Sequence, residues 1–442
     1  MNKHFLKSLR DNIPEPLKYM AAPVFRNKLL KDKNFNQYLD LLQKGQQWSG
    51  DQVKEFQLKQ LKDVLSYCYK HVPYYTNLFD SVGFKPDKLQ SPEEIKAIPF
   101  LTKDIIRQNF AQLTSNEKVA GGYYVATTGG STGEPLKVLL DYESVFKESA
   151  FVYFFRQHAG YQFADRLATF RGVEFGDKLW KYNPMHNELI FSPFKLSKHT
   201  LAGYVKKLND YKPQFINGYL SCLYFFARML QENKMALNHK LKGIFLISEN
   251  IDEEQRTFLE DFLGVRSSTF YGHSERCIIA EEEQKGLYRP SPFYGYTELV
   301  PQGDGFELVG TGFLNRTMPL IRYKTGDLCA KENDLISIQG RWNVDDYLLG
   351  LNDEKIFHSS FNFHSEIFKN VTNYQFIQQE RGKSDLLLLV NKEFKPAEID
   401  VMKKEIDKKT RGIVDFEIKV VDSLRLSPRG KFKRFISDIR SN

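Results

Sequence analysis

Residues 127–135 read Thr-Thr-Gly-Gly-Ser-Thr-Gly-Glu-Pro, and this stretch is the strongest indicator of fold and chemistry in the sequence. Its three glycines free the backbone to point several N–H groups at one anion, and its four hydroxyl side chains add donors. It is not a kinase-type P-loop, because the lysine of GxxxxGK[ST] is absent. A flexible hairpin turn is the alternative. The candidate polyphosphate contacts are Thr127, Thr128, Gly129, Gly130, Ser131, Thr132 and Gly133.

Strand-like and helix-like segments alternate outward from this loop. Tyr123–Ala126 and residues 136–140 read as strands on its two sides. Farther along, the order is helix 198–209, strand 214–217, helix 220–233, strand 243–247, helix 252–263 and strand 268–271. Such alternation predicts an α/β fold with a mostly parallel sheet and helices on both faces.

The pattern changes beyond residue 290. Short strands with glycine turns run to residue 340 and predict a β-rich subdomain. Strands at 374–379, 386–390 and 414–421 then surround a helix at 396–411, which Pro396 begins and Gly412 ends. The sequence therefore predicts an α/β (α+β) chain with a large N-terminal domain, 1–341, and a small C-terminal α+β domain, 342–442.

The composition is that of a soluble globular protein. The chain has 442 residues and a net charge of +8, which suits an anionic substrate, although the scattered basic residues also fit an ordinary solvated surface. Its four cysteines are widely separated, which argues against a disulfide framework or a zinc site. We expect a cytoplasmic protein with no transmembrane segment and no nucleic-acid partner. Residues 5–30 could contact a membrane, but a helix packed on the protein is the simpler interpretation.

Five segments occur together in one order and resemble the adenylate-forming superfamily of acyl-CoA synthetases, peptide-synthetase adenylation domains and luciferases. They are the loop at 127–135, Tyr271–Glu275, Arg322–Asp327, Gly340–Arg341 and Pro428–Arg434. Four stretches further resemble the branch of phenylacetate–CoA ligase and the CapK-like proteins of capsule and O-antigen gene clusters. These are Val72–Tyr75, Ile98–Lys103, Tyr271–Arg276 and Met318–Tyr323.

The resemblance implies a large N-terminal domain, a small mobile C-terminal domain and Mg²⁺-ATP as co-substrate. A carboxylate would attack the α-phosphate of ATP and release pyrophosphate, so that catalysis would depend on neutralising and positioning two anions. In this interpretation the loop at 127–133 cradles the β- and γ-phosphates.

The resemblance also gives roles to the residues that follow strand 268–271. Glu275 would bind magnesium, because a hard cation prefers carboxylate oxygen, with a surface salt bridge as the alternative. Ser274 would assist through its hydroxyl group. Tyr271 would stack near adenine, and Gly272 would let the acyl group approach the backbone. His273 would lie at the acyl-adenylate or be a structural group.

Later segments complete the implied site. Ser248-Glu249-Asn250 would line the adenine side, although an ordinary strand-to-helix turn capped by Ser248 or Asn250 fits almost as well. Asp327 would accept hydrogen bonds from the ribose hydroxyls, with a turn aspartate after Gly326 as the alternative, and Arg341 would contact ribose or phosphate. Lys431 would place its charge between the substrate carboxylate and the α-phosphate, with an ordinary exposed lysine as the alternative.

The sequence departs from the family pattern at two places. Glu134 stands where the family usually has lysine, so Lys137 could supply the missing charge. Trp342-Asn343-Val344 replaces the usual paired aspartates after Arg341, which leaves the hinge somewhere within 342–346.

The acyl side carries no short motif. Asn217, Tyr219 and Phe245 are candidates for the wall of an acyl pocket, with core packing as the alternative. The acceptor could be CoA, or an amine or hydroxyl in capsule or O-antigen polysaccharide biosynthesis. A non-catalytic nucleotide-binding or scaffold relative is the competing hypothesis, but a scaffold has no physical need for Glu275, Asp327, Arg341 and Lys431 together. The acid, the acceptor and the oligomeric state are not encoded in any recognisable motif.

Overall fold

The computed structural model describes residues 15–119, 121–127, 136–163, 165–171, 175–341, 347–351, 354–357, 366–410, 412–426 and 432–439. The helices are α1 (Glu15–Leu30), α2 (Lys33–Gly45), α3 (Gly50–His71), α4 (Pro73–Ser81), α5 (Lys103–Gln108), α6 (Tyr142–His158), α7 (Leu201–Tyr211), α8 (Leu220–Glu232), α9 (Glu253–Leu263) and α10 (Glu398–Thr410). Within these ranges no helix has the length and apolar character that crossing a bilayer requires.

Twenty strands accompany the helices in the described part of the chain. They are β1 (Tyr123–Thr127), β2 (Lys137–Asp141), β3 (Leu167–Phe170), β4 (Trp180–Asn183), β5 (Glu188–Phe191), β6 (Phe215–Gly218), β7 (Gly243–Leu246), β8 (Ser267–Gly272), β9 (Ile279–Gln284), β10 (Leu287–Pro290), β11 (Gly295–Gln302), β12 (Gly305–Gly312), β13 (Tyr323–Glu332), β14 (Leu335–Arg341), β15 (Tyr347–Leu349), β16 (Lys355–Phe357), β17 (Val371–Glu380), β18 (Lys383–Val390), β19 (Asp415–Val420) and β20 (Phe435–Ser437).

A twelve-stranded mixed sheet dominates the molecule, in the order β11-β12-β13-β14-β10-β9-β8-β7-β6-β3-β5-β4. The five strands from β8 to β5 in this order are parallel, and the strands from β9 to β11 pair antiparallel. The predicted fold class is therefore confirmed, although the antiparallel strands begin at β9, at Ile279, rather than beyond residue 290.

Helices cover both faces of the parallel strands. Successive residues of a strand point to opposite faces, so Ile216 and Ile244 lie on one side and Phe215 and Phe245 on the other. The first pair shares a core with α7, α8 and α9. The second pair packs with Tyr161, next to α6. Both faces are therefore buried, which explains the continuous apolar runs of these strands.

The loop at 128–135 joins two strands of one hairpin. β1 and β2 pair antiparallel, with Thr127 opposite Lys137. Asp141 ends β2 and begins α6, because its carboxylate accepts a hydrogen bond from the backbone N–H of Ser144 at 2.6 Å. The loop itself lies outside the described residues.

A second sheet, in the order β19-β18-β17-β20, packs against α10. Its core of buried residues runs from Leu348 to Phe435 and is separate from the cores of the large sheet. The predicted small C-terminal α+β unit therefore has a hydrophobic core of its own. The division of the chain at 341/342 stays a prediction.

Candidate active site

A tight turn at the end of β8 carries four of the predicted site residues. The backbone N–H of Arg276 donates to the carbonyl of His273 at 3.1 Å, and Arg276 itself has a φ of 56°. Ligands of open α/β sheets bind beyond the carboxyl ends of parallel strands, and this turn lies at such an end. Gly272 and Ser274 are exposed there.

Glu275 is buried and already accepts two hydrogen bonds. Its Oε1 accepts from the Tyr323 hydroxyl at 2.7 Å, and its Oε2 lies 3.2 Å from His273 Nδ1. Burial alone would raise the pKa of Glu275, but the contacts with His273 and then Tyr323 outweigh it and lower the pKa to about 2. Glu275 is therefore an ionised, fixed carboxylate.

The burial of Glu275 also bears on the predicted magnesium ion. Carboxylate oxygen is the donor type that the ion prefers, but this side chain is only 3% exposed and both oxygens face protein donors. No group of three or more His, Cys, Asp or Glu side chains suited to a metal occurs among the described residues. As placed, Glu275 does not offer an open ligand position, so its magnesium contact stays a prediction.

The second ring nitrogen of His273, Nε2, takes no part in the contact with Glu275. This nitrogen is buried and has no hydrogen-bond partner among the residues that the structure describes. The ring lies 6.1 Å from that of Tyr271 and 6.2 Å from that of Tyr323, measured between centroids. His273 is thus oriented by Glu275 and surrounded by aromatic rings.

Asp327 and Tyr271 form the other half of the arrangement. The Tyr271 hydroxyl donates to Asp327 Oδ2 at 2.7 Å. Burial, and then the negative charge of Asp327, hold the pKa of Tyr271 well above its usual value. The strand register places Asp327 directly opposite Arg341. Gly326, just before Asp327, has a φ of 77°, which a glycine adopts without strain.

Arg276 is a site residue for which the sequence predicted no role. It is 6% exposed, and its guanidinium donates to Ser144 Oγ at 2.7 Å and to the Tyr124 hydroxyl at 3.1 Å. It also pairs with Glu148 Oε2 at 2.7 Å. One side chain thereby ties the turn of Glu275 to the loop-bearing hairpin and to α6. Its position inside the quoted motif was the only available signal.

The comparison of sequences and the comparison of folds point to the same group of proteins. The chain is 25% identical to protein CapK of Staphylococcus aureus over 404 residues, which cover 87% of this chain and 89% of CapK. It is 26% identical to the phenylacetate-coenzyme A ligase of Aromatoleum evansii over 301 residues, or 63% of this chain and 67% of that protein. A crystal structure of 2-hydroxyisobutyryl-CoA ligase in complex with an acyl-AMP superimposes with a TM-score of 0.65 at 17% identity, covering 88% of this chain and 90% of that one. No family model matches the chain.

The chain is thus similar to phenylacetate-CoA ligases and CapK, and its fold is that of the adenylate-forming ligases. Its relatives lie in the predicted branch of phenylacetate-CoA ligases and CapK. The roles of individual residues remain predictions.

The adenine-side segment follows β7, as predicted. Ser248 and Asn250 are exposed, and Ser248 has a φ of 60°. Glu249 accepts hydrogen bonds from the backbone N–H and the hydroxyl of Ser221, at 3.0 and 2.9 Å, so it satisfies the first turn of α8. Asp252, and neither Ser248 nor Asn250, caps α9. Ser248 and Asn250 therefore stay candidates for the adenine side.

Several predicted contacts cannot be placed. Thr127 ends β1 with Lys137 exposed opposite it, at the entrance of the loop. Outside the described residues lie Thr128, Gly129, Gly130, Ser131, Thr132, Gly133, Glu134, the hinge segment 342–346 and Lys431. The side chain of Arg341 also lies outside the description, although its backbone ends β14.

The acyl-side candidates are split between the buried core and a partly exposed position. Asn217 and Phe245 are buried in neighbouring strands, and Tyr219 is partly exposed just before α8. The Asn217 amide donates to Thr169 Oγ1 at 3.2 Å and accepts from Arg156 Nη2 at 3.1 Å. The sequence pattern did not reveal α6, and Arg156 was missed with it.

Packing against the described residues does not explain the glycine at position 272. A Cβ atom there would meet Ile279 and Phe270 only at ordinary contact distances of 3.6 Å. Because internal packing does not demand glycine, the exposed backbone agrees with the prediction that a substrate approaches it.

Proposed function

We propose that this chain is an ATP-dependent ligase that activates a carboxylic acid as acyl-AMP, releases pyrophosphate and passes the acyl group to an acceptor. The observation that carries the proposal is the hydrogen-bonded and ring contacts that join Asp327, Tyr271, His273, Glu275 and Tyr323 at the end of β8. These residues come from two sequence segments about fifty positions apart. The resemblance implies that Asp327 and Glu275, one from each segment, bind the same nucleotide.

Each side chain has a definite task in this proposal. Asp327 accepts hydrogen bonds from the ribose hydroxyls, because a carboxylate can keep the Tyr271 contact and still accept others. Glu275 holds His273 in one orientation, with Nε2 directed away from Glu275 as an acceptor or donor for the acyl-adenylate. Arg276 keeps this turn in register with the hairpin that ends at Thr127. Lys431 and the loop residues 128–133 complete the charge neutralisation.

The co-substrates are proposed by analogy with the relatives. The phenylacetate-coenzyme A ligases and the 2-hydroxyisobutyryl-CoA ligase are named for CoA thioester formation. We therefore propose ATP with magnesium for the first half-reaction, and CoA as one acceptor. An amine or hydroxyl of a capsule or O-antigen precursor is the second acceptor class, which the match to CapK over 87% of this chain favours.

The test separates the half-reactions. Purified protein is assayed for ATP–pyrophosphate exchange over a panel of aryl, fatty, amino, hydroxy and uronic acids, and the responding acid is then given CoA or amino sugars. We expect exchange with at least one acid, and loss of that exchange in Lys431→Ala by about 10²–10³-fold. Nucleotide binding measured by calorimetry without exchange for any acid would instead support the non-catalytic relative.

A further inference from the structure

One side of α6 faces the sheet with partly buried side chains. Val145, Ser149, Val152 and Arg156 follow each other at helical spacings of four, three and four residues, so they share one side of the helix. The Arg156 guanidinium carbon lies 4.8 Å from the centroid of the Phe245 ring, which fixes the direction of this side. This stripe of four residues therefore faces β6 and β7.

The stripe begins near the candidate active site and ends well below it. Ser144, the residue before Val145 at its upper end, accepts a hydrogen bond from Arg276, the neighbour of Glu275. At its lower end, Arg156 contacts Phe245, which lies opposite Ser268 of the parallel strand β8. β8 continues four residues further, to Gly272, and at the rise of a strand this places Phe245 about 13 Å below the carboxyl end of β8. This depth matches a carboxylic acid of moderate length whose reacting carboxylate lies at the edge.

The lower end is polar, and its amide is held in place. Asn217, which accepts from Arg156, donates to Thr169, and the Thr169 hydroxyl donates to Glu188 Oε1 at 2.6 Å. Glu188 Oε2 also accepts from the Asn183 amide at 2.9 Å. A hydrogen-bonded row of this kind orients each member. Asn217 therefore presents its oxygen to Arg156 rather than its amide nitrogen.

Arg156 keeps binding capacity to spare. Its Nε is buried and has no hydrogen-bond partner, and no carboxylate forms an ion pair with it, in the part of the chain that the structure describes. Glu188 acts on it only electrostatically, against the like charge of Arg171. A guanidinium has five N–H donors, and leaving buried donors unused is costly. An oxygen from a ligand would satisfy the Nε–H of Arg156.

We propose that Arg156 and Asn217 form the far end of the acyl pocket and select an acid that carries an oxygen acceptor, either a hydroxyl or a second carboxylate, at the end opposite the reacting carboxylate. This inference rests on the proposed ligase function. Val152 and Phe245 supply the apolar wall for the middle of such an acid. An acid with a plain hydrocarbon end would leave the guanidinium without its partner.

The first test uses the unmodified protein and acids of matched length. Hexanoate, 6-hydroxyhexanoate and adipate are compared in ATP–pyrophosphate exchange, together with 3-phenylpropanoate and its 4-hydroxyphenyl analogue. We expect kcat/KM to be at least about 100-fold higher for the best oxygen-bearing acid than for its hydrocarbon match. The hydroxyl and carboxylate acids decide which acceptor the pocket takes. Equal or better use of the hydrocarbon acids overturns the inference while leaving the ligase function intact; no exchange with any acid overturns both.

Variants then assign the preference to Arg156. Arg156→Met should remove the preference by lowering kcat/KM for the oxygen-bearing acid alone, and Arg156→Lys should keep part of it for adipate. Arg228→Met is the matched control, because Arg228 also stacks over a phenylalanine, at 5.1 Å from the Phe258 ring, and has a buried Nε without a partner, but it lies on α8. An equal loss for all acids in Arg156→Met would mark Arg156 as structural and overturn the assignment.

Discussion

The nucleotide side and the acyl side of the candidate site are built from different parts of the fold. On the nucleotide side, Glu275 stands in the turn after β8 and Asp327 in β13, and each carboxylate already accepts hydrogen bonds from protein groups. On the acyl side, Arg156 lies in a helix and Asn217 in a strand, and the Arg156 Nε has no partner among the described residues. The first side is preorganised before any ligand arrives, whereas the second has capacity that a ligand would fill.

The largest effect is expected at the centre of the nucleotide side. Glu275→Gln keeps the shape of the side chain but removes its negative charge. The amide nitrogen then replaces one carboxylate oxygen and faces a donor, either His273 or Tyr323. We expect exchange activity to fall by about 10²–10³-fold. Glu283→Gln is the control, since that side chain pairs with Arg289 at 2.5 Å on the surface of the same sheet. A Glu275→Gln enzyme with more than half of the normal rate would contradict a role for this carboxylate.

A smaller loss should appear in nucleotide affinity. Asp327→Asn removes a charged acceptor, which we expect to raise the KM for ATP by about 10–100-fold, the value of one or two hydrogen bonds to a charged group. Tyr271→Phe removes the hydroxyl that donates to Asp327 but keeps the charged carboxylate that would accept from ribose. Its effect on the KM for ATP should stay below about threefold. If the two variants are equally impaired, Asp327 acts by holding Tyr271 rather than by binding nucleotide.

The next largest effect is expected at Arg276, which links the two sides. Arg276 contacts the hairpin through Tyr124 and α6 through Ser144 and Glu148. Arg276→Lys keeps the charge but cannot make the three contacts together. We expect kcat to fall about tenfold through misplacement of the turn, with little change in the KM for the acid.

Arg256→Lys serves as a matched variant for Arg276→Lys. Arg256 is equally buried and pairs with Glu282 at 2.6 Å and Glu260 at 3.2 Å, but it joins α9 to β9 away from the turn. It should lower the thermal midpoint without changing kcat for the folded fraction. A loss of kcat in Arg256→Lys as large as that in Arg276→Lys would reduce Arg276 to an ordinary structural arginine.

The same contrast explains what could be predicted from the sequence. The nucleotide side could be found because residues of special chemistry stand in local order, such as Tyr271 to Glu275 and Gly326-Asp327, and because β7, α9 and β8 alternate clearly. What these motifs do not give is the burial of Glu275 behind Tyr323, since the two residues meet only after β8 and β13 have folded into one sheet.

The acyl side escaped prediction for a physical reason. α6 is packed on several sides, with Phe151 against Tyr294 and Tyr153 against Phe163, so its sequence lacks the single apolar stripe that marks a surface helix. β3 and β5 are four residues long and buried throughout, which leaves no alternation to read. Arg156 therefore looked like one of many scattered basic residues.

The smallest effect is expected at the far end of α6, where His158 contacts Glu281. It tests whether this helix is held as firmly there as at Arg276. His158 Nδ1 lies 2.7 Å from Glu281 Oε1, and this contact raises the pKa of His158 against the opposing effect of burial. A raised folded-state pKa gives stability that is fully present below the unfolded value of about 6.5 and is lost as the pH rises through the folded value. Because the His158 side chain is 43% exposed, the effect should be only a few tenths of a kcal/mol. Urea unfolding at pH 5.5 and 8.5 should therefore show a slightly larger loss of stability at high pH for the unmodified protein than for His158→Gln, with exchange activity unchanged in the variant. An identical pH dependence in both proteins would mean that the ion pair does not hold the end of α6.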